Sequence, residues 1–114
     1  MKDEINIFKR NDVTILEVPG DVTIFSESLL NQAYAYACAD GASKIMLKFA
    51  ADAYINSGGI ALLIQLLAQA RKNQQQVGIT GLSEHFKKIF NMVGITKFAK
   101  IYGTLDEALQ GMAS

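Results

Sequence analysis

The stretch YINSGGIALLIQLLAQARK, Tyr54 to Lys72, decides how the rest of the chain is read. Tyr54-Ile55 reads as the end of a buried strand, Asn56-Ser57-Gly58-Gly59 as a small polar turn, and Ile60 to Gln69 as an apolar helix. A strand that feeds directly into a helix is the building unit of layered α/β folds. The turn sets the Ser57 hydroxyl on a sharp strand-to-helix corner, beside N–H groups that have no partner within the helix. Gly58 and Gly59 carry no side chains and leave room for something large to approach Ser57. A plainer reading stands beside this one, in which Ser57 simply caps the helix by accepting from an N–H two or three residues on. Within the helix, Ile60, Leu63, Ile64 and Leu67 recur at i, i+3, i+4 and i+7 and form one face for a sheet. Leu62 and Leu66 make a second stripe beside Ala61, Gln65 and Gln69. That stripe either packs on a neighbouring helix, the preferred reading, or is left for a partner.

Upstream of this stretch, Glu4 to Phe8 reads as an edge-like strand and Val13 to Val18 as a stronger one, with Val13, Ile15 and Leu16 inward. The polar Asn11-Asp12 between them predicts an antiparallel hairpin. Pro19-Gly20-Asp21 ends the second strand, and Val22 to Ile24 is expected to stay extended. Ser26 is the predicted cap of a helix reaching about Ala39, with Leu29, Leu30, Ala33, Ala37 and Cys38 toward the sheet and Gly41 as the stop. Lys44 to Phe49 is a short apolar strand. Downstream, Asn73 to Gln76 is a polar break and Val77 to Thr80 a strand. Ser83 caps a helix over Glu84–Met92 that ends at Gly94, and Phe98 to Tyr102 is a last strand. Thr104-Leu105-Asp106-Glu107 has the capping-box pattern and opens a final helix. The order β-β-α-β-α-β-α-β-α predicts an α/β fold with a mixed sheet of four to five strands and about four helices. Ser57 falls on a strand-to-helix turn, near where open α/β sheets place their sites.

Length and composition narrow the function classes. The 114 residues match the usual size of one domain, so residues 1–114 are expected to form a single one. Such a chain buries roughly two thirds of its unfolded surface and needs no staples. No apolar run is long enough to span a bilayer, no secretory signal is visible at Met1-Lys2-Asp3-Glu4, and Cys38 is the lone cysteine. A reducing cytoplasm is the expected home. Eleven basic and eleven acidic residues balance, so no global field draws in nucleic acid or an anionic membrane. The sparse cluster Lys87, Lys88, Lys97 and Lys100 is read as a solvated face.

The chemistry of catalysis is thinly represented. The glycine pair is followed by no Gly-Lys-Ser/Thr, lacks the G-x-G-x-x-G spacing, and has no glycine two before the serine. His85 is the only imidazole and is not tied to Ser57 in sequence. One cysteine and one histidine are too few for a zinc site. Asp106-Glu107 is accounted for by capping. The expectation is a non-enzyme with no catalytic residues, no cofactor and no metal.

Tyr54 to Ile60 resembles the central turn of STAS domains, the fold of anti-sigma factor antagonists, whose pattern is aromatic, hydrophobe, Asp or Asn, Ser, small, Gly, hydrophobe. The likeness continues through Gly78-Ile79-Thr80-Gly81-Leu82-Ser83, Ile89 to Ile95, Phe98, Ile101 and Leu105 to Leu109. Upstream it includes Val18-Pro19-Gly20-Asp21-Val22. The resemblance implies a single STAS-type domain that works by switching partners. By carry-over, Ser57 is the phosphoacceptor of a GHKL-type serine kinase that is also an anti-sigma factor. The unmodified chain binds that kinase, the phosphorylated chain does not, and a phosphatase resets it. The turn with Gly20, Asp21 and Thr23 is expected beside Ser57. The partner surface is expected to comprise Asp21, Thr23, Asn56, Ser57, Gly58, Gly59, Leu62 and Leu66. The chain departs from the family pattern at Asn56, where Asp is usual, at Thr23, where a second acidic residue is common, at Gly58, for Ser or Thr, and at Lys48, for Asp. Two alternatives accompany this reading: a constitutive scaffold in which Ser57 only caps the helix, and a small-molecule or nucleotide site at the glycine turn.

Overall fold

In the computed structural model, which describes residues 4–112, the strands are β1 (Asn6–Arg10), β2 (Val13–Val18), β3 (Lys44–Phe49), β4 (Gln76–Thr80) and β5 (Lys100–Ile101). The helices are α1 (Glu27–Ala39), α2 (Ser57–Lys72), α3 (Glu84–Met92) and α4 (Leu105–Gly111), with short 3₁₀ turns at Ile24–Ser26 and Ile95–Lys97. The five strands lie in the order β1-β2-β3-β4-β5, antiparallel between β1 and β2 and parallel thereafter. This is the predicted α/β architecture, with five strands and four helices.

Strand alternation divides the core in two, because successive side chains point to opposite faces of a sheet. Leu16, Val18, Ile45, Leu47, Phe49, Val77 and Ile79 pack against α1, α2 and α3 on one face. Val13, Ile15 and Met46 pack against Ala108 of α4 and Met112 just after it on the other. β2 therefore buries both faces, where the sequence reading had only Val13, Ile15 and Leu16 inward. Asn11, with φ of 58°, makes the two-residue turn between β1 and β2 and sets the register Arg10 to Val13.

Several local expectations change. β1 begins and ends two residues later than predicted. Of Val22 to Ile24, only Val22 makes a strand-like bridge, to Ile55, and a 3₁₀ turn follows at once. Ser26 makes no side-chain cap for α1. Its hydroxyl turns back to accept from the Thr23 N–H at 3.0 Å, while Thr23 Oγ1 accepts from Phe25 N–H at 3.1 Å. The sheet-facing stripe of α1 is Leu30, Ala33 and Ala37, with Leu29 more than a third exposed. The last strand shrinks to Lys100–Ile101, because Gly94 in the left-handed region (φ 85°) starts a 3₁₀ turn that uses Ile95 as a core anchor. At α4, Thr104 Oγ1 accepts from Glu107 N–H as a cap should. The Glu107 carboxylate takes the Gly103 N–H instead of the Thr104 N–H of a regular capping box.

The central helix shows the largest reassignment. Its buried residues are Gly59, Leu62, Leu63, Leu66, Leu67 and Ala70, while Ile60 and Ile64 are only half-buried. The second stripe is thus part of the core. Leu62 and Leu66 are 7% and 5% exposed and are not available to a partner. The helix docks with the seam between the two stripes inward, so that Leu63 and Leu67 of the first stripe and Leu62 and Leu66 of the second are buried together, while Ile60 and Ile64 turn to the side.

Candidate functional site

The site forms where two connections are sewn together above the carboxyl ends of β2 and β3. Val22, in the connection after β2, bridges in parallel to Ile55, in the connection after β3. The Val22 N–H donates to the Tyr54 carbonyl at 2.9 Å, and the Asn56 N–H donates to the Val22 carbonyl at 3.1 Å. Asp21 adds a third stitch, its Oδ1 accepting from the Tyr54 N–H at 2.8 Å. Val22 and Ile55 are both buried, so the clasp has an apolar underside and a polar upper edge.

This clasp defines what the glycines are for. A Cβ on Gly59 would run into the Val22 carbonyl, and a Cβ on Gly58 would lie 3.2 Å from the Ile24 Cβ. The clearance that the sequence suggested was open to an approaching molecule is filled by the protein's own Val22–Ile24 segment. A cleft of about 390 Å³ does open beside Asp21, floored by Val18, Leu29 and Leu30, yet none of residues 56–59 lines it.

The helix cap is Asn56 and not Ser57. Asn56 has extended backbone, and its Oδ1 accepts from the Gly59 N–H at 2.8 Å. An amide oxygen does this as an Asp carboxylate would, so the Asn at this position keeps the cap without adding charge. Ser57 is the first helical residue and is exposed. Since Gly59 N–H goes to Asn56 and Ile60 N–H closes the first helical turn onto the Asn56 carbonyl, the N–H groups of Ser57 and Gly58 remain the open donors of α2 among the described residues. Ser57 Oγ thus stands free of the cap, at the positive end of a helix sixteen residues long.

Of the other residues singled out in the sequence, Asp21 and Thr23 do lie beside this turn, Asp21 through its bond to Tyr54 and Thr23 through the 3₁₀ turn it caps. His85 lies in the first turn of α3, where its ring packs edge-on against Phe86. Sequence reasoning missed the apolar rim. Phe25 is 91% exposed and Tyr54 58% exposed, with Ile24 also at the surface. The Thr23–Ser26 capping box holds the turn that turns Ile24 and Phe25 outward, and the Tyr54 ring leans edge-on against Phe86 at 5.9 Å. A large apolar residue set between Thr23 and Ser26, both capping types, was the readable sign of Phe25. Tyr54 carried a contrary sign, since its place at a strand end argued for burial.

Lys48, one of the departures from the family pattern, lies on the α4 side of the sheet. Its ammonium is 2.7 Å from Glu17 Oε2, and Asn6 donates to Glu17 Oε1 at 3.2 Å. The Lys48 ammonium first, and the Asn6 amide second, hold the Glu17 carboxyl below its ordinary range. Among the described residues no group of His, Cys, Asp and Glu is arranged to hold a metal ion, and no helix is long and apolar enough to cross a membrane.

Comparison with known proteins places this geometry. The anti-sigma-F factor antagonist RsfB of Mycobacterium tuberculosis is 22% identical over 110 residues, covering 95% of this chain and 88% of that protein. The crystal structure of an anti-sigma factor antagonist from Mycobacterium paratuberculosis superposes with a TM-score of 0.79 at 19% identity, over 96% of this chain and 93% of the other. The Bacillus cell fate determinant SpoIIAA, in its phosphorylated form, superposes with a TM-score of 0.66 at 12% identity, over 96% of this chain and 99% of that one. A family model described as the STAS domain matches residues 4–108, and the chain belongs to the STAS domain family.

Proposed function

We propose that this protein is an anti-sigma factor antagonist that binds an anti-sigma factor with serine kinase activity and is switched off by phosphorylation of Ser57. The observation that carries the reading is the position of Ser57: exposed, outside the helix cap, and next to an outward apolar rim of Ile24, Phe25 and Tyr54. Similarity to RsfB supports the antagonist role, and similarity to SpoIIAA, whose structure is of a phosphorylated form, supports modification.

The energetics favour a switch that acts at an interface. A phosphate adds about −1.5 to −2 charges and three acceptor oxygens. In the free protein it meets the open N–H groups of Ser57 and Gly58, and the helix terminus stabilises it by about 0.3–2 kcal/mol. Reversing a 99:1 preference for the bound state takes about 5.5 kcal/mol. The helix term is too small and has the wrong location. Burying a dianion under an apolar partner costs several kcal/mol and has the required size. Ser57 therefore lies within the partner's footprint, and Ile24, Phe25 and Tyr54 supply its apolar contacts in place of the buried Leu62 and Leu66.

The test uses a GHKL-type anti-sigma factor of the same organism with ATP, followed by mass spectrometry and by binding of unphosphorylated variants. Phosphate is expected on Ser57. Ser57→Asp and Phe25→Ser are expected to lose binding while Ser57→Ala keeps it. Wild-type affinity in Ser57→Asp would sink the switch and leave a constitutive scaffold.

A further inference from the structure

We infer that the β1 edge is a self-association surface, on which a second copy of this chain adds its own β1 antiparallel to the first. The sheet has two edges of unequal character. β5 is two residues long and ends the sheet abruptly, whereas β1 is five residues long and has β2 as its only neighbour among the described residues. Its outer N–H and C=O groups form a template for another strand. Beside that edge, Leu29, Gln32 and Tyr36 of α1 fall at i, i+3 and i+7 and overhang a groove of about 340 Å³ floored by Ile5 and Ile7. Leu29 is 37% and Tyr36 64% exposed, so backbone and apolar binding elements sit side by side.

Charge identifies the occupant. The segment Glu4 to Arg10 is acidic at its start and basic at its end. An antiparallel copy centred on Ile7 sets Ile7 against Ile7, Ile5 against Lys9, and Glu4 against Arg10, twice over by symmetry. Lys9 is already matched within the chain by Asp40 at 3.0 Å, which leaves the Glu4 and Arg10 ends to complement the second copy. A two-fold axis normal to the sheet also keeps both α1 helices on one face, so each Tyr36 flank runs alongside the other groove. With a formal net charge of zero, no overall repulsion opposes the pairing.

Sedimentation equilibrium of the full chain, alone and up to millimolar concentration, tests this without any partner or kinase. A dimer is expected. Arg10→Glu, which sets like charges opposite each other at both ends, is expected to weaken it about tenfold or more, and Tyr36→Lys to weaken it as well. The double variant Glu4→Arg with Arg10→Glu is expected to return within about threefold of wild type, since opposite charges face each other again. Circular dichroism confirms that each variant is folded. A monomer at every concentration overturns the inference. So does a dimer indifferent to Arg10→Glu and Tyr36→Lys, or a double variant no better than Arg10→Glu alone.

Discussion

The adjacent glycines of the Ser57 turn should respond unequally to the same substitution. At Gly58, a Cβ meets the Ile24 Cβ at 3.2 Å and the Ile24 nitrogen at 3.3 Å, a tight fit on an exposed turn that can yield by a few tenths of an ångström. Alanine there also restricts the unfolded chain and suits a helix, a gain of about 0.4–1 kcal/mol. Gly58→Ala is expected to lie within about 0.5 kcal/mol of wild type. At Gly59 the new Cβ collides with the Val22 carbonyl, which is backbone and cannot swing aside. The Val22 segment has to retreat, and its two bonds, Val22 N–H to Tyr54 and Asn56 N–H to Val22, are lost or stretched. At about 0.5–1.5 kcal/mol each these amount to about 1–3 kcal/mol. Partial exposure of the buried Val22 and Ile55 side chains adds about 1 kcal/mol more. After subtracting the helix gain, Gly59→Ala should destabilise by about 1–3 kcal/mol. Urea denaturation of the three proteins measures the difference directly. A Gly59→Ala variant as stable as Gly58→Ala would refute the clasp as the reason for the glycine pair.

Capping offers a second check at the same turn. Asn56→Ala should cost about 1 kcal/mol while Asn56→Asp and Ser57→Ala stay close to wild type, because the cap bond to Gly59 belongs to Asn56; equal losses in Asn56→Ala and Ser57→Ala in a thermal melt would contradict this. In β2, Thr14 is buried and its hydroxyl has no partner among the described residues, so Thr14→Val should raise stability by about 1 kcal/mol, and a lower melting temperature would show that the hydroxyl is satisfied after all. The Glu17–Lys48 pair should contribute above the ordinary carboxyl pKa and fade as the pH falls below it, since the folded-state pKa of Glu17 is depressed. The pair is about a third exposed, so the contribution is about 0.5 kcal/mol after screening; Glu17→Gln should narrow the stability gap between pH 7 and pH 3, and an unchanged gap argues against the pairing.

Much of this fold was written locally. β2 and β3 coincide with apolar runs bounded by turn residues, and α3 begins at a serine that caps it through the Phe86 N–H. The mixed α/β sheet followed from helices alternating with strands after one hairpin, while the spatial order β1-β2-β3-β4-β5 is set by tertiary packing. Asp21, Thr23, Asn56 and Ser57 were readable as neighbours only through resemblance to a family, since their closeness depends on two connections far apart in sequence, Asp21 and Tyr54 being 33 residues apart. Local pattern failed where a choice depended on docking. The family resemblance puts Leu62 and Leu66 on the partner surface, whereas the helix buries them, because two apolar stripes do not say where between them the buried face is centred. The apparent space around Gly58 and Gly59 was misread for the same reason: its occupant, Val22 to Ile24, arrives from elsewhere in the chain.

The sequence by itself determined most of the strands and helices, because turn chemistry, caps and hydrophobic period act within a few residues; it did not determine that Tyr54-Ile55 and Val22 meet only in a single bridge or that the last strand is two residues long. It also determined that a hydroxyl stands at the start of the central helix. The tertiary structure alone decided that Asn56 is the cap and Ser57 is free of it, that the glycines admit the Val22 backbone, and that Ile24, Phe25 and Tyr54 form the outward rim. Those outcomes rest on contacts between distant segments, and burial and hydrogen bonding are settled only when the layers of the fold come together.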